Sequence, residues 1–168
     1  MICGKVTGLI TITGGANEYK NDYKFIVSHL RDLIEEYDLK LAAIGYDPHN
    51  ADGFLADLEI FGVPLLEITQ SARYLNDATV DMKLNIKSKK IEYDKQNELL
   101  SWSFSNAKVV ANSFGEIKVD KEPRAKTKRI DPVDACIDAH VAYMKLKEEQ
   151  SIDLDKEMSN YLEMMGWR

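Results

Sequence analysis

Asp47 closes an apolar run, KLAAIGY over residues 40–46, and Pro48 follows it at once. A run of that composition suits a strand buried on both faces. Ligands of open α/β sheets bind beyond the carboxyl ends of the strands, so a carboxylate at that point is well placed for chemistry. Asp also opens turns well, and the Asp-Pro step accounts for Asp47 without any chemistry. A second acidic group lies far downstream in RIDPVDACIDAH, where Asp131, Asp134 and Asp138 fall at i, i+3 and i+7, near one face of a helix. Here capping is the plainer alternative. Asp131 stands where an N-cap belongs, Pro132 at the first helical position, and Asp134 in the first turn, where the helix dipole favours anions.

Together the two segments suggest a site for a hard cation. Mg²⁺ prefers carboxylate oxygens and water, and is typically held by one or two protein carboxylates together with substrate phosphate. Two such ions about 4 Å apart can activate a water and stabilise a leaving oxygen in phosphodiester hydrolysis. A basic stretch precedes Asp131 and includes Lys118, Lys121, Arg124, Lys126, Lys128 and Arg129. Lys126, Lys128 and Arg129 are the candidates for phosphate contacts beside the metals, although charge runs in loops are usually only solvated. His49, two residues beyond Asp47, is an auxiliary candidate for metal-bound water or phosphate. His29 and His140 fall within helical patterns and read as packing or surface residues, and Trp102, Trp167 and the tyrosines as core or partner contacts. No GxxxxGK[ST] occurs, so the chain holds no P-loop ATP site, and no Ser-His-Asp or Cys-His motif stands out.

The elements that must position these residues alternate. The spacing predicts a strand over 6–13 ending at Gly14-Gly15, then a helix carrying Tyr23, Ile26, Val27, Leu30, Leu33, Ile34 and Tyr37. The strand ending at Asp47 follows, then a short helix with Phe54, Leu55 and Leu58, capped by Gly62. A strand over 63–69, a helix over about 72–88 and a short strand over 90–94 come next. Residues 97–111 are ambiguous and helical at the front, and a strand is expected at 116–119 before the helix that starts at Asp131-Pro132. Residues 149–168 form a charged tail, expected as a short amphipathic helix around Leu154, Met158, Tyr161, Leu162 and Met165. The pattern is that of an α/β or α+β domain around a mostly parallel sheet, with domain limits of 1–148 and a tail of 149–168.

Composition bounds the rest. The chain has 168 residues, of which 45% are hydrophobic and 30% charged, enough for one domain with a real core. No apolar stretch approaches the roughly 20 residues of a membrane span. Cys3 and Cys136 lack metal-binding spacing and read as free thiols in a reducing cytoplasm. The net charge of −6 argues against coating nucleic acid through the overall field, but acidic metal ligands would themselves contribute to it.

Three segments in order, IGYDPHNA, LNDATVDMKLNIKSKKIEYDKQNELLSWSFSNAKVV and KTKRIDPVDACIDA, resemble the C-terminal nuclease domain of phage terminase large subunits, from about Gly8 to Met144. The most specific elements are the strand ending in Asp47, the WSFSN segment at 102–106 and the basic lead-in to Asp131. The resemblance implies an RNase H-like fold, a mixed sheet flanked by helices. It implies Mg²⁺- or Mn²⁺-dependent cleavage of double-stranded phage DNA by a two-metal site of three acids. Asp47 would be the second acid and Asp131 the third, with Asp134 auxiliary. Portal and small terminase subunits are the implied protein partners.

The chain departs from the family pattern at its start. No candidate for the first-acid strand is found, since the acids from Glu18 to Asp38 lie in or beside the first helix, and the ATPase domain is absent. The expectation is an N-terminally truncated fragment, such as a split gene or prophage remnant, weak or inactive as a nuclease by itself. An open sheet edge would then invite self-association. Two other readings stand beside this one. One is a non-catalytic module that binds portal or small terminase subunit through the Met- and Tyr-containing tail. The other is an unrelated RNase H-like enzyme such as a resolvase or transposase core.

Overall fold

A computed structural model describes residues 23–49, 51–122 and 128–165. Helix α1, Tyr23–Glu36, turns its apolar stripe inward at Val27 and ends where Asp38 takes a left-handed conformation. Strand β1, Ile44–Tyr46, is half-buried. Helix α2, Asp52–Leu58, tightens into a 3₁₀ turn over Glu59–Phe61 that Gly62 ends at φ 62°, the left-handed C-cap that glycine adopts without strain. Tyr23 of α1 stacks on Phe54 of α2 with ring centroids 4.9 Å apart. Strand β2, Leu65–Glu67, then pairs with β1 in parallel, Ile44 opposite Leu65 and Tyr46 opposite Glu67.

Helix α3, Ala72–Lys87, is capped by Ser71, whose hydroxyl accepts from the Tyr74 N–H. Lys89, left-handed at φ 56°, turns the chain away from it. Residues 90–94, expected as a strand, are not one. Ile91 and Tyr93 are exposed rather than laid on a sheet, and Tyr93 instead faces Phe104 with centroids 6.0 Å apart. The ambiguous stretch divides into helix α4, Glu98–Asn106, and strand β3, Ala107–Ala111. Strand β4, Ile117–Lys121, pairs antiparallel with β3. Asn76 of α3 fastens this hairpin by accepting the Ile117 N–H at 2.9 Å.

Helix α5, Asp131–Met164, runs unbroken for 34 residues. The tail expected as a separate short helix after residue 148 is therefore its continuation through Met164. Ile137 and Val141 of α5 meet Ile68, Leu75 and Ala78 in the main buried cluster, with Leu66, Tyr74, Met82, Val119 and Met144 packed around it. Among the described residues the sheets are thus one parallel pair and one antiparallel hairpin, held together by α3 and α5. The strand expected over 6–13 lies outside the described residues.

Candidate active site

The carboxylates converge because α5 lies against β1, and Gly45 lets it. A Cβ on Gly45 would meet the Asp138 carbonyl oxygen at 3.1 Å, Ile68 Cγ1 at 3.3 Å and Ala142 Cβ at 3.5 Å. With no side chain there, the backbone of α5 approaches the strand two residues before Asp47. The Asp47 carboxylate sits exposed just past the end of β1, and its Oδ1 accepts the His49 N–H at 3.0 Å. The turn role anticipated for Asp47 is real. It occupies one oxygen of a residue that also lines the cleft beside α5.

The start of α5 is fixed by residues of the WSFSN segment. Ser103 is fully buried, and its hydroxyl accepts the Val133 N–H at 3.3 Å, sharing that donor of the first helical turn with the Ile130 carbonyl at 2.8 Å. Asn106 is buried and donates from Nδ2 to the Arg129 carbonyl at 3.2 Å. Asp131 is not the cap that the sequence suggested. The N-cap position belongs to Ile130, which has no side-chain capping bond, and Asp131 is the first helical residue. The cap is supplied from α4 across the fold, which leaves the exposed Asp131 carboxylate unused in that role.

Further along the same face, Asp134 and Asp138 are half-buried. Burial pushes the Asp134 carboxyl up to about 6, and the charges of Asp138, Asp131 and Asp120 add to the shift, while Lys118 opposes it. Burial likewise raises Asp138, Gln70 opposes this by hydrogen bonding, and the Asp47 charge raises it further. Gln70 Nε2 donates to Asp138 Oδ1 at 3.0 Å and to the Ile68 carbonyl at 3.1 Å, tying the carboxylate to the end of β2. Lys118 Nζ donates to the Gln70 carbonyl at 3.4 Å and stands 3.9 Å from Asp120. Asp47 and Asp138 both line a cleft of about 280 Å³ between β1 and α5, whose floor includes Gly45, Ala139 and Ala142.

The charge of Asp47 reaches Asp138, and Asp138, Asp131 and Asp120 in turn crowd Asp134, with Gln70 and Lys118 beside them. Asp138 was visible in the sequence as the third acid of the helical face. Its pairing with Asp47 was not, because it depends on Gly45. Gln70 and Asp120 carried no local signal. His49 is exposed and contributes its backbone N–H to the Asp47 turn. Lys126 lies outside the described residues. Lys128 is 3.0 Å from Glu122, whose other oxygen is 3.0 Å from Lys108, so that lysine is engaged within the chain. The two lysines hold the Glu122 carboxyl below its usual range. Arg129 is exposed beside it.

Among the described residues no group of three or more His, Cys, Asp or Glu side chains is arranged to hold a metal ion. Oxygen donors in crowded pairs still fit an ion of the Mg²⁺ class, which keeps most of its shell as water or phosphate. A larger hollow of about 310 Å³ opens elsewhere, between α3, α4 and the hairpin, lined by Met82, Ile86, Phe104, Val109 and Val119. It lacks the carboxylates and is apolar, so it is not where the chemistry would sit. No described helix is long and apolar enough to cross a membrane.

A parallel strand pair, a flanking hairpin and a long helix, with acids gathered where the helix crosses the strand ends, define an α/β domain of the RNase H-like class. The sequence model described as terminase large subunit, endonuclease domain, matches residues 8–148, and the chain belongs to that family. The solved structure of the HK97 bacteriophage large terminase matches with a TM-score of 0.69 and 26% identity over 83% of this chain. The chain spans 28% of the length of that terminase. No curated protein sequence matches. Membership in the family displaces the resolvase or transposase alternative.

Proposed function

We propose that the chain is a metal-dependent DNA endonuclease domain of a terminase large subunit, acting on double-stranded DNA during genome packaging, with portal and small terminase subunit as partners of the whole protein. The observation that supports this reading is that Asp47 and Asp138 line one cleft across the β1–α5 contact, with Asp134 one helical turn away. A resident Mg²⁺ or Mn²⁺ pair supplies the activation of water and the stabilisation of the leaving oxygen in such hydrolysis. Asp47 and Asp138 are the groups to hold one ion, and Asp134 with Asp131 the groups to flank a second. The Asp134 carboxyl is raised first by burial and then by the neighbouring acids, and it is this second part that a divalent ion would relieve. Lys118 would balance a substrate phosphate, and Arg129, with Lys128 once released from Glu122, would extend that contact along the backbone of the DNA, as would Lys126, which lies outside the described residues.

The test is Mn²⁺ binding to the 168-residue chain, followed by paramagnetic resonance or calorimetry near pH 7.5. Asp47→Asn and Asp138→Asn should each weaken binding by roughly tenfold or more, because each removes one of two carboxylate ligands. Nicking of supercoiled plasmid in Mn²⁺ is the companion assay, and whatever nicking the chain shows should be lost in Asp47→Ala. Equal Mn²⁺ affinity in the wild type and the Asp47→Asn/Asp138→Asn double variant would sink the reading.

A further inference from the structure

Beyond Leu146, helix α5 leaves the body of the protein, and every residue from Lys147 to Met165 is exposed. At 1.5 Å per residue its helical part projects roughly 27 Å. Leu154, Met158, Tyr161 and Met165 recur at alternate spacings of four and three, the seam of a coiled coil. They are 66%, 59%, 55% and 57% exposed, so the seam is bare. The positions flanking it include Glu148, Asp155 and Glu157, and none is Lys or Arg. Over 147–165 six carboxylates face only two cations, Lys147 and Lys156.

This helix is poorly supported by its own sequence. Glu149, Asp153 and Glu157 stand four residues apart, and like charges at that spacing destabilise a helix. Isolated helices of such length are marginal in water without packing on one face. Both defects have one remedy, a partner that covers the apolar seam and brings positive charge to its edges. A second copy does not meet the second need, because its own flanking positions, Glu148, Gln150, Asp155, Glu157, Leu162 and Met164, bring no Lys or Arg to the edge. We infer that the projecting part of α5 is a docking surface for a basic amphipathic helix of another protein, with apolar residues on its seam and Lys or Arg on the flanks. The inference rests on the helix itself and does not require the cleavage reading.

The probe is a three-heptad peptide with Leu on its seam and Lys at both flanking positions, titrated calorimetrically into the full chain. A matching peptide with Glu at the flanks is the control. The lysine peptide should bind in the micromolar range and the glutamate peptide at least roughly tenfold more weakly. Met158→Ser with Tyr161→Ser, both on exposed positions, should abolish binding while circular dichroism of the folded body is unchanged. Glu148→Lys with Asp155→Lys and Glu157→Lys should reverse the preference between the peptides. Equal binding of both peptides, or of neither, overturns the proposal. So does dimerisation in sedimentation that the Met158→Ser/Tyr161→Ser variant removes, which would make a second copy the occupant. Binding to phosphatidylcholine vesicles lost in the same variant would make it a lipid surface.

Discussion

The two halves of α5 share one backbone and have opposite surroundings. From Asp131 to Leu146 the helix is pressed against α3, α4 and β1, with Val133, Ile137, Val141 and Ala142 buried. From Lys147 to Met165 no described residue buries it. Both halves carry acids. In the first half they are crowded against one another by the packing, and in the second they line an empty seam. The same residue type therefore gives a candidate cation site where the fold confines it, and a candidate protein-docking edge where it does not.

The comparison breaks most directly by truncating one apolar residue in each half. Ile137 is 2% exposed in the main cluster, and Leu154 is 66% exposed. Ile137→Ala should cost about 2–5 kcal/mol of folding stability, from lost transfer energy and the cavity left behind. Leu154→Ala should stay within about 0.5 kcal/mol, as surface changes do. Urea denaturation of the full chain decides it. Comparable losses would mean that the projecting half is packed in solution after all.

Next in size are the two contacts that seat the buried half. Gly45→Ala places a Cβ 3.1 Å from the Asp138 carbonyl, backbone that cannot swing aside. Overpacking of this kind costs about 1–3 kcal/mol, and α5 would have to shift relative to Asp47. A fall in Mn²⁺ affinity is therefore expected together with the stability loss. Ser103→Ala removes the second acceptor of the Val133 N–H, which also bonds the Ile130 carbonyl at 2.8 Å, and should cost at most about 1 kcal/mol, the usual worth of a helix cap. If thermal or urea midpoints do not move in Ser103→Ala, the cap does not come from α4.

These two contacts also mark where the sequence stops being legible. Periodicity located α1, α3 and the start of α5, because apolar residues at helical spacing report one buried face directly. Asp47 was legible as an acid at a strand end, and the acidic face of α5 by its spacing. The strand over 90–94 misled, since alternation in KIEYD has no described strand to pair with and its apolar residues are exposed. Asp131 looked like a cap because local sequence cannot show Ser103 arriving from 30 residues away. Gln70 could not be found at all, because its role is defined by Asp138, 68 residues downstream. Local spacing reveals which residues share a face and leaves open what that face meets.

The smallest expected effect sharpens what confinement does to charge. The Asp134 carboxyl is raised from its ordinary 3.8 to about 6, first by burial and then by its acidic neighbours. The folded chain holds this proton more tightly than the unfolded one, so the stabilising contribution is complete below about 4 and is lost as pH rises through about 6. Asp134→Asn keeps the shape without the charge. The variant should unfold at higher urea than the wild type at pH 7.5, and the gap should shrink on lowering the pH toward 4.5. Partial exposure of the group keeps the difference modest. Mn²⁺ added at pH 7.5 should narrow the gap as well, because an ion bound among the acids stabilises the wild type by mass action. A gap that is the same at both pH values would show that packing, not charge, sets the effect at Asp134. A gap closed by acid but untouched by Mn²⁺ would leave the crowding real and remove its link to a metal.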